Sequence, residues 1–233
     1  VQASLLPEGV PEISGWDFAA RWQPARQVSG DFYDFIPGQA GQIDLVMADV
    51  SGKGMPAALF MALSRTIVRA SMGHSLSAAE DISRANRLVC ADAKDGMFVT
   101  VFCARLSPDT GDVAYVNAGH NPPLLCKQGD EEEPLTELMP TGLAVGILED
   151  FAFEQGTLHL DPGDFLLLYT DGVPDATNTQ SQRFEMERLR RVILEYRHAP
   201  AADIVAALER AIGEFTGATT QFDDIAIMIA KRL

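Results

Sequence analysis

Strand-like runs in this chain follow one another across short turns, and helix-like runs come in pairs. The clearest turn is the segment Ser-Pro-Asp-Thr-Gly at 107–111, which separates two β-like runs. Strands joined so closely pair antiparallel, because a parallel pair needs a long crossover connection. The pattern therefore predicts an α+β fold of antiparallel sheets flanked by helical pairs, and it argues against a βαβ doubly wound fold.

Apolar runs bounded by turn residues place the individual elements. The predicted strands are Asp31–Ile36, Ile43–Asp49, Met97–Leu106, Asp112–Asn117, Pro123–Lys127, Gly156–Leu160, Phe165–Thr170 and Ile225–Ala230. The predicted helices are Pro56–Met72, Ala78–Lys94, Phe184–Tyr196 and Ala201–Phe215. With 233 residues, 47% of them hydrophobic, the chain can bury one substantial core. We therefore expect residues 1–233 to form a single domain.

The composition disfavours some partners. The formal net charge is −15, which repels nucleic acid and anionic membranes, so we expect neither nucleic-acid binding nor membrane insertion. No apolar run approaches the roughly 20 residues needed to cross a bilayer. The cysteines, Cys90, Cys103 and Cys126, have no C-x-x-C spacing, which indicates free thiols in a reducing compartment and a cytoplasmic protein.

Aspartates stand at one edge of four apolar β-like runs. They are Asp31 with Asp34, then Asp49, then Asp171, and finally Asp223 with Asp224. Asp is a poor strand residue, so four such cases need a geometric explanation. A turn centred midway between Asp31 and Asp49 puts these two opposite each other in antiparallel register. Asp171 ends its strand and Asp223 precedes the last one, so antiparallel neighbours would bring these to one sheet edge as well.

Several unpaired carboxylates in one place repel one another and raise one another's pKa. A hard divalent cation removes that conflict, and aspartate and carbonyl oxygens suit Mg²⁺ or Mn²⁺ better than zinc or copper. The alternative is that these residues cap helices and turns, and for Asp34 and Asp224 the two interpretations have equal support. A phosphate-binding P-loop at Lys53 is a weaker alternative, because Gly54 stands where that motif has Ser or Thr.

Five motifs together resemble one family over nearly the whole chain. They are Gly30-Asp31-Phe32-Tyr33-Asp34, Ala48-Asp49-Val50-Ser51-Gly52-Lys53-Gly54, Asn117-Ala118-Gly119-His120-Asn121-Pro122-Pro123, Tyr169-Thr170-Asp171-Gly172 and Asp223-Asp224-Ile225. The set resembles the PP2C-type (PPM) serine/threonine phosphatases, in the bacterial SpoIIE/RsbU branch. The resemblance implies a four-layer α-β-β-α sandwich, in which helical pairs cover two central antiparallel sheets. It also implies two divalent metal ions, Mn²⁺ or Mg²⁺, in a cleft between sheet edges.

The resemblance also implies a role for each carboxylate. Asp49 would bridge both metals with the Val50 carbonyl as a further ligand, Asp31 would serve one metal, and Asp171 and Asp223 would bind the other. Asp49 and Asp171 would thereby be the catalytic residues, since two such ions activate a water that attacks the phosphoryl group. No protein nucleophile is implied. The supporting residues would include Asp34 and Asp224.

Further positions have open roles. Many PP2C phosphatases have a His two residues after the bridging Asp, and Ser51 stands there in this chain, so the leaving-group proton needs another donor. His120 could titrate near neutrality, but we favour a role with Asn117 in holding their turn by hydrogen bonds. Asp175 could hold a third, weaker metal. Arg26 could clamp a phosphate as a bidentate donor, or it could be an ordinary surface arginine.

The resemblance finally implies a bacterial phosphatase acting on phosphoserine or phosphothreonine, with a STAS-type anti-anti-sigma factor as substrate. An upstream sensor module would precede the domain, residues 1–15 would end its linker, and a homodimer is one expected assembly. The helices Pro56–Met72 and Ala78–Lys94 would transmit the signal to Asp49. Two alternatives stay open: a signalling module that binds its partner without hydrolysis, and a two-metal phosphoesterase acting on nucleotides.

Overall fold

The computed structural model describes residues 2–93 and 96–233 and places ten strands and four helices along them. In chain order these are β1 (Trp16–Gln23), β2 (Phe32–Pro37), β3 (Ile43–Val50), α1 (Met55–Ser71), α2 (Ala78–Asp92), β4 (Val99–Ser107), β5 (Asp112–Ala118), β6 (Leu124–Cys126), β7 (Leu135–Glu137), β8 (Gly156–His159), β9 (Phe165–Tyr169), α3 (Glu185–Tyr196), α4 (Ala201–Thr216) and β10 (Ile225–Arg232). Two short 3-10 segments, Gln2–Leu5 and Gln39–Gly41, complete the regular structure of the described residues.

The strands form two five-stranded sheets. The order is β1-β10-β9-β6-β7 in the first sheet and β2-β3-β4-β5-β8 in the second. Every pairing between named strands is antiparallel. The prediction of antiparallel sheets is therefore confirmed.

Three apolar cores separate four layers. One core joins α1 and α2 to the second sheet, another joins α3 and α4 to the first sheet, and the third lies between the sheets. The strand β10 shows why: Ile225, Ile227 and Ile229 pack toward the helices, while Ala226 and Met228 pack toward the opposite sheet. Both faces are buried, which explains the uninterrupted apolar run. The four-layer α-β-β-α prediction is confirmed.

The predicted elements all occur, and where the structure describes their ends these differ from the predicted ones by at most two residues. The predicted end of the second helix at Lys94 lies outside the described residues. Two strands, β1 and β7, were not predicted. The first is an edge strand whose charged Asp17 and Arg21 interrupt the apolar pattern, and the second has only three residues. None of the described helices combines the length and apolar character that a bilayer span requires.

Candidate metal centre

The hairpin of β2 and β3 brings the first two predicted carboxylates together. Phe32 pairs with Ala48, so Asp31 and Asp49, one position further, meet at the end of the hairpin. Along β2 and β3, Phe35, Leu45 and Met47 face the core between the sheets. Asp31 and Asp49 are an even number of residues from these positions along their strands, so their side chains lie on the same face, in the cleft between the sheets. The register prediction is confirmed.

The strands β9 and β10 bring the second pair of carboxylates together in the same way. Tyr169 pairs with Ile227, so the chain just after β9 runs beside the chain just before β10. Gly172 allows this approach, because a Cβ there would overlap the carbonyl oxygen of Asp224. Asp171 and Asp223 are consequently close together: burial raises the pKa of Asp171, and the charge of Asp223 adds to the rise.

The two pairs face each other across the cleft. Burial raises the pKa of Asp49 to about 7, and the nearby charges of Asp171, Asp223 and Asp224 add to that rise, while the interaction with Asp31 opposes it. These effects connect carboxylates of the two different sheets. The structure therefore places the predicted cluster in one site, which the strand pattern alone could not establish.

Asp31 is the most deeply buried member of the cluster. Only 3% of its surface is exposed, and its Oδ2 has no hydrogen-bond partner among the described residues. Burial raises its pKa well above the usual range, and the neighbouring Asp49 adds to the rise. A buried carboxylate oxygen without a partner is costly, and an external cation would satisfy it. Hard oxygen donors of this kind fit Mg²⁺ or Mn²⁺.

One lysine reaches the rim of this site. Lys53 Nζ lies 2.7 Å from Asp223 Oδ2 and 3.8 Å from the centre of the Phe222 ring. It also opposes the rise in the pKa of Asp171. From the sequence, Lys53 is only a weak P-loop candidate, and this ion pair is not predicted. A lysine between two glycines, four residues after Asp49, indicates that Lys53 lies near the cluster, but it does not identify Asp223 as its partner.

The carboxylate side chains of the described residues do not form a metal-coordination shell. No three His, Cys, Asp or Glu side chains within residues 2–93 and 96–233 converge at metal-ligand distance. Asp223 is turned toward Lys53, which explains part of this arrangement. The main-chain oxygen of Val50, another predicted ligand, lies beside Gly30, where an added Cβ would approach it to 3.2 Å. The ligand roles of Asp31, Asp49, Val50, Asp171 and Asp223 therefore stay predictions.

The remaining predicted aspartates have other partners. Asp224 accepts hydrogen bonds from the main-chain N–H groups of Ala25 (2.7 Å) and Gly30 (2.9 Å), so it holds the loop that carries Asp31. This agrees with a supporting role. Asp175 raises the pKa of Asp171 but forms an ion pair with Arg183 at 2.9 Å.

Asp34 lies on the other face of β2. Its carboxylate forms ion pairs with Arg65 (2.8 Å) and Arg69 (2.6 Å) of α1. The spacing of three residues from Asp31 explains this, because neighbouring positions in a strand alternate between faces. The structure thus ties Asp34 to the helix layer and gives it no contact with the carboxylate cluster. A structural role therefore fits Asp34 better than a place in the metal centre, although it acts through ion pairs to α1 and not as the helix or turn cap that the alternative expected.

The turn after Asp49 has a structural explanation. Ser51 accepts a hydrogen bond on Oγ from Phe98 N–H at 3.0 Å, and its own N–H donates to Phe98 O. Gly54, which precedes α1, has a φ of 78°, a left-handed conformation that favours glycine.

Arg26 is exposed and lines a narrow cleft with Lys53, Asp223 and Asp224.

His120 and Asn117 stabilise the turn between β5 and β6. Asn117 Oδ1 accepts from His120 N–H at 2.8 Å, and Asn117 Nδ2 donates to Leu138 O at 2.9 Å. The imidazole Nδ1 lies 2.9 Å from Thr100 Oγ1, and burial lowers the pKa of His120 to about 4. The ring is therefore neutral at pH 7. This agrees with the favoured loop-holding role and not with a general acid.

Sequence comparisons place the chain in a family. A profile of the family described as Stage II sporulation protein E (SpoIIE) matches residues 39–233. The chain belongs to this family. It is 32% identical over 205 residues to phosphoserine phosphatase RsbU of Bacillus subtilis, covering 88% of this chain and 60% of RsbU. It is 30% identical over 260 residues to protein IcfG of Synechocystis, covering 100% of this chain and 40% of IcfG. The chain thus spans less than two thirds of each relative.

Solved structures agree with the predicted fold. The SiaA-PP2C domain of Pseudomonas aeruginosa matches with a TM-score of 0.80 at 22% identity, covering 93% of this chain and 85% of that one. The catalytic domain of serine/threonine phosphatase PstP, in complex with two manganese ions, matches with a TM-score of 0.66 at 16% identity, covering 93% and 97%. The chain therefore has a PP2C-type fold, and the predicted resemblance is confirmed.

Proposed function

We propose that the carboxylate cluster binds two divalent cations, Mn²⁺ or Mg²⁺, and that the domain is a phosphatase for phosphoserine or phosphothreonine in proteins. One observation carries the proposal: Asp31, Asp49 and Asp171 lie together with raised pKa values, and no Lys or Arg of the described residues forms an ion pair with them. Membership in the SpoIIE family supports the same chemistry, and two relatives are named as phosphoserine phosphatases, RsbU and RsbP.

The residues that would hold the ions are Asp31, Asp49, Asp171, Asp223 and the Val50 carbonyl. Bound there, the cations would lower the pKa of a water and neutralise the phosphoryl oxygens during in-line attack. The chain itself holds the donors at strand ends, where the sheets fix their main-chain positions. Asp224 fixes the loop of Asp31 through two main-chain hydrogen bonds.

The thiols of this chain do not offer an alternative nucleophile. Burial raises the pKa of Cys126 to about 11, and burial also raises the pKa of Cys90 and Cys103. A protonated thiol is a poor nucleophile. The hydroxyl of Ser51 accepts a main-chain hydrogen bond, and the neutral imidazole of His120 is buried. These groups are therefore assigned to the scaffold.

Two positively charged side chains lie where a phosphorylated substrate would approach. Arg26 and Lys53 line one narrow cleft with Asp223 and Asp224. Both can donate to phosphate oxygens, Arg26 in a bidentate manner and Lys53 as a point charge. We therefore extend the proposal to a phosphate-orienting role for this pair. By the relation to RsbU, the substrate proposed is a STAS-type anti-anti-sigma factor in the cytoplasm.

The first residues of the chain suggest a route for regulation. Gln2 Nε2 donates to Ser29 O at 2.9 Å and to Ala58 O at 3.2 Å, and Gln2 Oε1 accepts from Ser29 N–H. This segment thus connects the loop before Asp31 with α1. We propose that residues 1–15 form the end of a linker, and that an upstream module or a homodimer acts on the metal centre through this contact.

The activity is tested by phosphate release from a phosphoserine peptide with Mn²⁺, with EDTA, and with the variants Asp171→Ala and Asp109→Ala. Asp109 lies in the exposed turn after β4 and is the matched control. We expect release that requires Mn²⁺ and is lost in Asp171→Ala only. Mn²⁺ binding without turnover of any phosphate ester would instead favour a binding module without hydrolysis. Faster turnover of nucleotides than of phosphopeptides would favour the nucleotide phosphoesterase.

A further inference from the structure

A cavity of about 310 Å³ adjoins the candidate metal centre. It lies between the C-terminal half of α4, the segment 219–223 that precedes β10, and the segment 172–177 that follows β9. Three lining residues, Gly172, Asp175 and Asp223, belong to the metal centre or stand next to it. A ligand in this cavity would therefore lie beside the reacting phosphate.

A glycine keeps one wall of the cavity open. Gly213 lies in the last turn of α4, and a Cβ added to it would meet no heavy atom within 4 Å. Glycine is less favourable than alanine within a helix, and packing does not require it at this position. Ile212 and Thr216 of the same helix also line the cavity, and the absence of a side chain at Gly213 leaves space beside them.

The wall has the chemistry of a peptide site. Four threonines line it: Thr177, Thr216, Thr219 and Thr220. The hydroxyls of Thr177 and Thr216 donate to the main-chain oxygens of Asp175 and Gly213, so toward a peptide they act as acceptors for its N–H groups. The hydroxyl oxygen of Thr219 is buried and has no hydrogen-bond partner among the described residues. Ile212 and Ile225 supply an apolar surface. The lining carboxylates Asp175, Glu209 and Asp223 each form an ion pair with a cation outside the wall, and no Lys or Arg occurs among the described lining residues.

We propose that this cavity binds the polypeptide segment next to the phosphoserine of the protein substrate. An uncharged side chain of that segment would pack on the apolar surface, and its main chain would pair with the threonine hydroxyls. The absence of a lysine or arginine from the described wall argues against a second phosphate as the ligand. The inference rests on the proposed phosphatase function and assigns substrate selection to α4.

The experiment compares two substrates for each enzyme: a phosphoserine peptide extended on both sides, and p-nitrophenyl phosphate, which has no peptide. The variants are Gly213→Ala and Gly213→Leu, with Ala202→Leu as the control. Ala202 is an exposed residue of the same helix, roughly 16 Å from Gly213 along the axis. Thermal unfolding of each variant confirms folding, and Gly213→Ala should raise the melting temperature.

We expect Gly213→Leu to lower the ratio of kcat/KM on the peptide to kcat/KM on p-nitrophenyl phosphate by about tenfold or more, mainly through KM. Gly213→Ala should give a smaller decrease, and Ala202→Leu should leave both values unchanged. An unaltered ratio in a folded Gly213→Leu enzyme would overturn the inference. So would a wild-type enzyme with no preference for the peptide. A wild-type enzyme that hydrolyses neither substrate with Mn²⁺ would overturn the proposed function, and this inference with it.

Discussion

Among the described residues, two groups of carboxylates lie inside this domain, and only one of them includes a buried arginine. Asp44 and Asp81 are fully buried, and Arg105 forms ion pairs with both, at 2.7 Å and 2.8 Å. Arg105 also donates to Ser75 O, so the trio links β3 and β4 to the start of α2. The cluster around Asp49 has no such arginine among the described residues, and its only ion pair to a lysine is the one from Lys53 to Asp223 at the rim.

The pKa values express the same difference. Burial raises the pKa of Asp44, but the hydrogen bonds and the charge of Arg105 oppose the rise. Burial also raises the pKa of Asp49, to about 7, and there the largest neighbouring effect, from Asp171, raises it further. A buried carboxylate with its own arginine belongs to the scaffold, whereas a buried group of carboxylates without one is suited to a cation from outside.

The largest effect is expected on stability, when the buried Arg105 is replaced. Arg105→Met would leave Asp44 and Asp81 buried without a cation, and should lower the free energy of unfolding by about 3–5 kcal/mol. Urea denaturation measures it. Arg69→Met is the control, because Arg69 is 44% exposed and Asp34 keeps Arg65. A loss for Arg105→Met no larger than that of the control would remove the distinction between the two groups.

Neutralising one aspartate in each group should shift stability in opposite directions. In the metal-free protein, Asp49→Asn removes buried repulsion and should raise the free energy of unfolding by roughly 1–3 kcal/mol. Asp44→Asn should lower it by a similar amount, because Arg105 loses an ionised partner. Urea denaturation with EDTA measures both. Destabilisation by both substitutions would mean that the Asp49 cluster is an ordinary part of the scaffold.

The pH dependence should follow the raised pKa of Asp49. Because the folded-state pKa is about 7 against 3.8 in the unfolded chain, the folded state binds the proton more tightly. The stabilisation that comes from protonated Asp49 is complete below about pH 4, and it is lost as the pH rises through about 7. The metal-free protein should therefore lose on the order of a few kcal/mol over that range relative to Asp49→Asn. Saturating Mn²⁺ should remove the loss, and equal pH profiles for the two proteins would contradict this account.

The smallest effect is expected for Lys53. Its ion pair with Asp223 is partly exposed, with 42% of the lysine side chain accessible, and such pairs contribute about 0–1 kcal/mol. Lys53→Met should free Asp223 for the cation and tighten Mn²⁺ binding by up to about fivefold. Isothermal titration calorimetry measures the change. Weaker Mn²⁺ binding in the variant would show that Lys53 organises the site and does not compete for Asp223.

Much of the fold could be predicted from the sequence because its elements have strong local signals. The turn at 107–111 and the apolar runs of β3, β9 and β10 fix antiparallel pairing and two buried faces. The strand β1 has a weaker signal, since its edge position leaves Arg21 and Gln23 exposed. Hydrophobic periodicity indicates a half-buried edge strand poorly when charged residues interrupt it.

The site could be predicted in part for a related reason. The pairing of Asp31 with Asp49 follows from a local hairpin, and the two-residue period of a strand separates Asp34 from them. The ion pair of Lys53 and Asp223 joins residues 170 positions apart, so no local pattern could indicate it. Nor could the sequence show that Gly213 of α4 lines a cavity beside the metal centre, because this depends on how the layers pack.

The most direct measurement is a calorimetric titration of the metal-free protein with Mn²⁺, made in parallel on Asp49→Asn and Arg69→Met. We expect two Mn²⁺ ions per chain in the wild-type protein and in Arg69→Met, and loss of at least one of them in Asp49→Asn. Wild-type protein that binds no Mn²⁺, or Asp49→Asn that binds it as the wild type does, would contradict the claim that the uncompensated carboxylates form a cation site.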